Sequence, residues 1–393
     1  MRAPVPFVAP KKPVAVSAVV REDVPLAAVD PVQWDALCGD HPFLRHAFLS
    51  ALHDSGCASA RTGWSPRYLT AWDDGRLAGA MPLYAKTHSY GEYVFDWGWA
   101  DAWRRHGRRY YPKLVAAVPF TPVTGPRTIA ADAATRRALV DAALARVADG
   151  THSSLHLLFL PDTEAVELDA AGLIGRRGIQ FHWTDAGWRD FSDFLDAMTR
   201  EKRKKIRQER AALARTGVTF ERKTGAAIVA ADWAYFFRCY ENTYREHGST
   251  PYLTLECFER IGEALRDRLV MVVGSREGRP VCAALDVFDD TTMWGRYWGA
   301  TEPAPGLHFE ACYYQAIEHC LEQGIRRFEG GAQGVHKLAR GLVAAPTASA
   351  HAIGDRAFFS AIADFCARER HDVGRRLEEL RAATPFKAPV SAS

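Results

Sequence analysis

Apolar positions recur along the 393-residue chain in two alternating rhythms. Helical recurrence from Val32 to His53 predicts a first helix. Tyr68 to Trp72 and Leu77 to Tyr84 then flank Asp73-Asp74-Gly75, the signal of two strands joined by a tight turn. Leu114 to Phe120 reads as a buried strand, Ala131 to Ala148 as a helix, and Ser154 to Leu160 as a strand stopped by Pro161. The second half runs through a similar series. Trp233 to Arg245 and Leu255 to Arg266 predict helices, Leu269 to Gly274 and Val281 to Phe288 a hairpin, and Thr291 to Tyr297 a strand. A helix from Phe309 to Gln323 and a strand from Ile325 to Glu329 follow, and Phe191 to Arg215 predicts a long helix between the halves.

The order of short signals also repeats. The hairpin glycines Gly75 and Gly278 stand 203 residues apart. Trp34, Pro42-Phe43-Leu44 and Phe48 are echoed by Trp233, Pro251-Tyr252-Leu253 and Phe258. Thr124-Gly125-Pro126-Arg127 precedes a helix ending at Gly150, as Pro305-Gly306-Leu307-His308 precedes one ending at Gly324, now at a shorter offset. An insertion in the first half, Tyr90 to Pro112, accounts for the change. A repeat of this length implies two domains of one fold, not a solenoid. The expected class is α/β (α+β mixed sheets), with a tail over 1–20 expected to be disordered, a first domain over 21–190 and a second over 191–385 that opens with the basic helix.

Composition adds bounds. The net charge is +3 with 25% charged residues, and no apolar run approaches the ~18 residues of a membrane span. The first twenty residues lack the apolar core of a signal peptide, so the expected location is the cytoplasm. Eight cysteines are scattered without CxxC pairs, which predicts buried free thiols and no metal.

The segment Glu302 to Leu342, with its Pro-Gly turn, helix, strand-terminal Glu and Lys in a glycine-rich loop, resembles the late acyltransferase segment of Fem-like proteins, a branch of the GNAT superfamily. Ser89 to Asp96, Tyr110 to Leu114, Val118 to Arg127 and Gly299 to Tyr314 are similar to a subfamily of N-acyltransferases described as peptidoglycan biosynthesis and recognition proteins. The resemblance runs from about Phe43 to about His371. It implies two tandem GNAT-like acyl-N-acyltransferase domains and transfer of an acyl or aminoacyl group to an amine, a small molecule or a peptidoglycan precursor. The co-substrate would be acyl-CoA or aminoacyl-tRNA, with no metal and tRNA as a possible partner. The ordinary GNAT pyrophosphate loop is absent from both halves. Val335 stands where the subfamily has Glu, and Ala348 and Ala352 where it has Tyr and Trp. Those departures leave open a second reading, a catalytically silent module that recognises a peptide or cell-wall ligand.

Acyl transfer to an amine needs a base, a positioned carbonyl and donors for the developing oxyanion. Glu310, His308 and His336 are the candidate catalytic residues. Lys337 and Arg340, with Gln333, Gly331, Gly334 and Arg127, are candidates for holding the anionic part of the donor. Tyr90, Glu92, Asp96, Trp99, Arg296, Trp298 and Glu329 are candidates for contacting the acceptor, since aromatic faces beside acids suit a cationic amine. Seven cations between Arg200 and Arg210 crowd one helix and could grip phosphates, although a solvated face is the commoner meaning of such a run.

Overall fold

The computed structural model describes residues 18–332 and 334–387. The chain forms two compact units, one of the described residues up to Gly178 with Thr347–Gly374, the other of Ile179–Pro346 with the described residues from Arg375. The expected second domain ran unbroken over 191–385, so the return of Thr347–Gly374 to the first unit is a difference. Of the segment expected to be disordered, 1–17 lie outside the described residues, whereas Val19–Arg21 forms β1.

In chain order the first unit continues with α1 (Pro31–Cys38), α2 (His46–Asp54), β2 (Trp64–Pro66), β3 (Leu69–Asp73), β4 (Arg76–Met81) and β5 (Leu83–Lys86). Then come α3 (Trp97–Arg105), β6 (Lys113–Ala116), β7 (Ile129–Ala130), α4 (Ala133–Ala148), β8 (Ser154–Leu160), α5 (Asp162–Ala170) and β9 (Ile174–Thr184), whose last residues enter the second unit. The helix expected over Val32 to His53 is therefore two helices. Gly39, in the left-handed region at φ +61°, ends α1, and Pro42 opens a short 3-10 turn before α2. Asp30 caps α1 by accepting a 2.9 Å hydrogen bond from the Val32 N–H.

The second unit contributes α6 (Phe191–Ala197), α7 (Arg200–Ala214), β10 (Val218–Thr224), α8 (Ala230–Glu246), α9 (Leu255–Ala264), β11 (Leu269–Arg276), β12 (Arg279–Phe288) and β13 (Thr292–Ala300). After these come α10 (Leu307–Phe309), a π-helical turn (Glu310–Tyr314), α11 (Gln315–Gln323) and β14 (Arg327–Glu329). The chain closes with β15 (Val343–Ile353) and α12 (Arg356–Ala382). The single helix expected over Phe191 to Arg215 breaks at Met198. That residue is extended and bridges Phe386, and the Thr199 N–H donates to the Pro385 carbonyl at 2.9 Å.

Both units contain the same hairpin. Asp74-Gly75 and Glu277-Gly278 both take positive φ at both central positions, the turn that matches the twist of its strands. Each hairpin then carries one extra residue three positions beyond its glycine, Ala78 on β4 and Val281 on β12, where the register shifts. The repeat legible in sequence is thus a repeat of backbone geometry. Each unit also pairs two strands in parallel across a helix, β6 with β8 around α4, and β13 with β14 around α10 and α11.

In the first unit β2, β5, β6 and β8 lie side by side, and the far end of β15 pairs antiparallel with β8, placing His351 opposite His156. Its core gathers Leu69, Met81, Leu83, Leu114, Leu155 and Leu157 with Leu139 of α4. In the second unit β10 to β13 form an antiparallel meander, to which β14 adds in parallel and β9 antiparallel.

Candidate functional site

The parallel pair of the second unit is short. It couples Thr292, Met293 and Trp294 to Arg327, Phe328 and Glu329, after which β14 ends while β13 runs on to Ala300. Among the described residues, that edge of β13 beyond Trp294 has no strand partner. Side chains of α8 take up part of its backbone: Thr243 donates to the Trp298 carbonyl at 2.9 Å and Asn242 to that of Ala300 at 2.7 Å. Arg296 is the bulged residue of β13, since Leu285 faces Tyr297 and Asp286 faces Gly295.

Glu329 sits where the two strands part. It is almost fully buried, and burial raises its carboxyl from the ordinary range to about 7 despite Arg327 at 3.4 Å. His182 of β9 approaches the carboxylate at 4.0 Å, but burial lowers its imidazole to about 4, so it stands there neutral. The loop after Glu329 turns tightly. A side chain at Gly330 would lie 2.4 Å from Leu342, and Gly331 and Gly334 take positive φ. Lys337 folds back beneath this loop and donates to the carbonyls of Gly330 and Gly331; burial lowers its amine to about 8. A buried carboxyl and a buried amine on adjoining backbone therefore both titrate close to neutrality, the condition for proton transfer at working pH.

Aromatic rings gather beside them. His308 of α10 lies 4.6 Å from the Trp298 ring and 5.3 Å from Tyr313, and burial lowers it to about 4. His336 is exposed, with its ring 6.2 Å from His308 and its Nε2 3.4 Å from the Tyr313 hydroxyl. Burial lowers its basicity too, helped by Arg340 and Lys337.

Other expected site residues are engaged in contacts of their own. Glu310 lies in the π-helical turn, where Arg210 donates to both carboxylate oxygens at 3.0 and 2.7 Å and Gln315 adds a third hydrogen bond at 2.8 Å. A carboxylate so engaged is an ion-pair partner, not a free base. Arg340 donates to both oxygens of Glu209 at 2.9 and 3.1 Å and lies 3.3 Å from the Phe309 ring, so its charge is already neutralised. Arg127 is in the first unit's core, donating to the carbonyls of Leu158, Val123, Phe159 and Pro126; it holds a loop shut rather than an anion. Gln333 lies outside the described residues.

The expected acceptor residues separate by unit. Arg296, Trp298 and Glu329 belong to the second, whereas Tyr90, Glu92, Asp96 and Trp99 belong to the first. There Glu92 and Asp96 are buried beneath the surface and both accept from Lys113 Nζ. Tyr110 donates to Asp96 at 2.6 Å and contacts His156 at 3.2 Å, and the two histidines His156 and His351 meet at 2.7 Å. Ala348 and Ala352 are also in this unit, buried on β15 opposite Leu160 and Leu155. Both are thus core positions of the first unit.

Sequence reasoning missed His182, Glu209 and Asp286. Asp286 of β12 is buried, its Oδ2 has no hydrogen-bond partner among the described residues, and burial raises its carboxyl well above the ordinary range. No local signal marks these three, because each acquires its setting from a distant strand or helix. The basic helix is α7, on which Arg200, Arg203, Lys204 and Arg207 line a groove of about 360 Å³, with Asp196 paired to Arg203 and Arg207.

Duplicated mixed sheets, each with a parallel pair around a helix, define a tandem GNAT-like protein. The profile of the FemAB-like family of peptidoglycan biosynthesis and recognition proteins matches residues 25–388, and this chain belongs to that family. Among solved structures it is similar to FemX, with a TM-score of 0.54 and 13% identity over 85% of this chain and 98% of that one. It also matches a tandem GNAT protein from the clavulanic acid biosynthesis pathway (TM-score 0.42, 11% identity, 86% of this chain and 99% of that one). A GCN5-related N-acetyltransferase from Sphaerobacter thermophilus matches with a TM-score of 0.38 and 12% identity, over 87% of this chain and 97% of that one. No curated protein matches. Among the described residues no helix is long and apolar enough to cross a membrane.

Proposed function

We propose that this chain is a transferase that moves an acyl or aminoacyl group from an activated ester or thioester to an amine at the parting of β13 and β14. The observation that carries the reading is Glu329, a buried carboxyl raised to about 7 at the end of β14, with Lys337, a buried amine lowered to about 8, under the loop that follows it. The amine nitrogen attacks the acyl carbon, its proton passes to the Glu329 carboxylate, and the C–O or C–S bond to the donor breaks. The Lys337 ammonium supplies a proton to the leaving group. Trp298 and His308 offer flat, uncharged walls for the reacting groups. Arg340 is neutralised by Glu209, so a phosphate-bearing donor would be gripped elsewhere. The cationic groove of α7 supports aminoacyl-tRNA over acyl-coenzyme A, and family membership supports a peptidoglycan-precursor amine as acceptor.

The test supplies the protein with precursor amines and either a charged tRNA pool, with and without ribonuclease, or an acyl-coenzyme A pool, and reads products by mass. Turnover should rise with pH through about 7 as Glu329 ionises, and Glu329→Gln should lower it about 10²- to 10⁴-fold and remove that rise. Lys337→Ala should lower turnover with little change in KM. A Glu329→Gln variant with wild-type turnover across pH would sink the assignment. Ribonuclease sensitivity distinguishes the two donors.

A further inference from the structure

Among the described residues, the exposed aromatic side chains are Tyr90, Phe95, Trp97 and Phe365, at 56, 57, 40 and 41% exposure, and all four belong to the first unit. They are neighbours. The Tyr90 and Trp97 rings stand 4.9 Å apart, and the Arg176 guanidinium donates to the Phe95 carbonyl at 2.7 Å while lying 5.9 Å from the Phe365 ring. The ridge is also anchored. Lys86 donates to the Tyr90 carbonyl at 3.2 Å, and Trp99 and Trp103 bury the inner face of α3. Rings held outward by a rigid support, instead of folding back onto it, mark a surface that meets something apolar.

Charge says what. Directly after the ridge, Arg104, Arg105, Arg108 and Arg109 are all exposed. Arg104 and Arg105 share the single Asp101, Arg108 pairs with Asp355, and Arg109 has no partner among the described residues. Aromatics come first and arginines after, without interleaving, which suits a lipid interface better than base stacking along a nucleic-acid strand. Tyrosine and tryptophan favour the headgroup level of a bilayer, and guanidinium groups favour its phosphates. We propose that the ridge from Tyr90 to Trp97, with Phe365 and the following arginines, docks the first unit onto an anionic lipid surface. This inference does not depend on the chemistry proposed for Glu329.

The experiment is co-sedimentation of the full chain with phosphatidylcholine vesicles that contain phosphatidylglycerol, against pure phosphatidylcholine. Binding should require the anionic lipid and weaken with salt. Arg105→Gln and Arg109→Gln should each weaken it about fivefold. The triple variant Tyr90→Ser, Phe95→Ser, Trp97→Ser should weaken it about tenfold or more, with its melting temperature checked to show that it folds. Val32→Ser, at another exposed apolar position, should bind as wild type. Equal binding to both vesicles, wild-type binding by the triple variant, or protein left in the supernatant with both vesicles overturns the proposal. So does capture by single-stranded RNA but not by vesicles.

Discussion

The two units carry the same parallel strand pair and treat the space beyond it in opposite ways. In the first, β6 and β8 share three register positions, and then the loop after β6 is sealed from within. Arg127 donates to four backbone carbonyls there, and Glu164 accepts from the N–H groups of Arg127 and Thr128 and from the Thr128 hydroxyl. In the second, the β13 and β14 pair also spans three positions, but the residues past it are glycines, half-buried aromatics and an exposed histidine. Charge follows the same division. The first unit buries Lys86 and Lys113 among carboxylates: Lys113 donates to both Glu92 and Asp96, and Lys86 meets Glu92 at 3.9 Å, with burial bringing Lys86 and Glu92 each to about 7. In the second, Glu329 faces Arg327 at 3.4 Å, whereas Lys337 is held by the carbonyls of Gly330 and Gly331 and meets no carboxylate among the described residues. In a duplicated fold, a buried lysine set among carboxylates supports the structure, and one held by carbonyls alone is free to give up its proton.

The strongest way to break this contrast is to exchange the lysines. Lys113→Met leaves Glu92 and Asp96 buried without the cation that binds both, and should cost about 3 to 5 kcal/mol of stability in urea unfolding. Turnover per folded molecule should survive. Replacing Asp96 by Asn in the same chain should restore part of the loss, since Glu92 then keeps Lys86 as its buried counter-charge at 3.9 Å. Lys337→Ala should do the reverse, removing turnover with a far smaller change in stability. If Lys113→Met kept its urea midpoint and lost turnover instead, the assignment of roles to the two units would be inverted.

A smaller effect sharpens the contrast through pH. The folded state raises Glu329 from 4.5 to about 7. Its protonated form is therefore favoured by folding, and the associated stability is complete below about 4.5 and lost as pH rises through about 7. Gln cannot ionise, so Glu329→Gln should match wild type at low pH and exceed it above pH 7 by about 1 to 3 kcal/mol. Denaturation series at three pH values measure this directly. A variant that is more stable yet inactive is what a functional carboxyl predicts; a variant that loses stability would make Glu329 a structural residue.

The duplication and the hairpins were legible because they depend on neighbours in sequence: a Gly two positions after Asp73, apolar runs on either side, and Pro161 after a strand. Ser154–Leu160 was read to the residue for the same reason. What escaped depends on distance. β15 is small-residue rich and contains Pro346, so it carries no strand rhythm, and it becomes a strand by pairing with β8. α12 is largely polar, and its apolar face is visible only where Ile362 and Cys366 meet Trp99 and Trp103. At the site, the glycine loop and Lys337 stand out by type and spacing, whereas the ion pair of Glu310 with Arg210, one hundred residues earlier, leaves no local signal. Glu329 was assigned to the acceptor because nothing local reveals how deeply a strand-terminal carboxyl is buried.

The smallest expected effect tests the repeat itself, apart from any chemistry. Gly75 and Gly278 occupy the second central position of their turns at φ +79° and +73°, and a side chain at either would meet no atom within 4 Å. The cost of an alanine there is thus backbone strain alone, about 1 to 2 kcal/mol, with no term for packing. Gly75→Ala and Gly278→Ala should therefore lower stability by the same amount to within about 0.5 kcal/mol, and the double variant by the sum, because the two turns share no partner. Equal losses would show that the two hairpins remain interchangeable in energy although the spaces beyond their strand pairs have diverged. A loss at one glycine without the other would mean that the shared turn geometry no longer carries the same load in the two units.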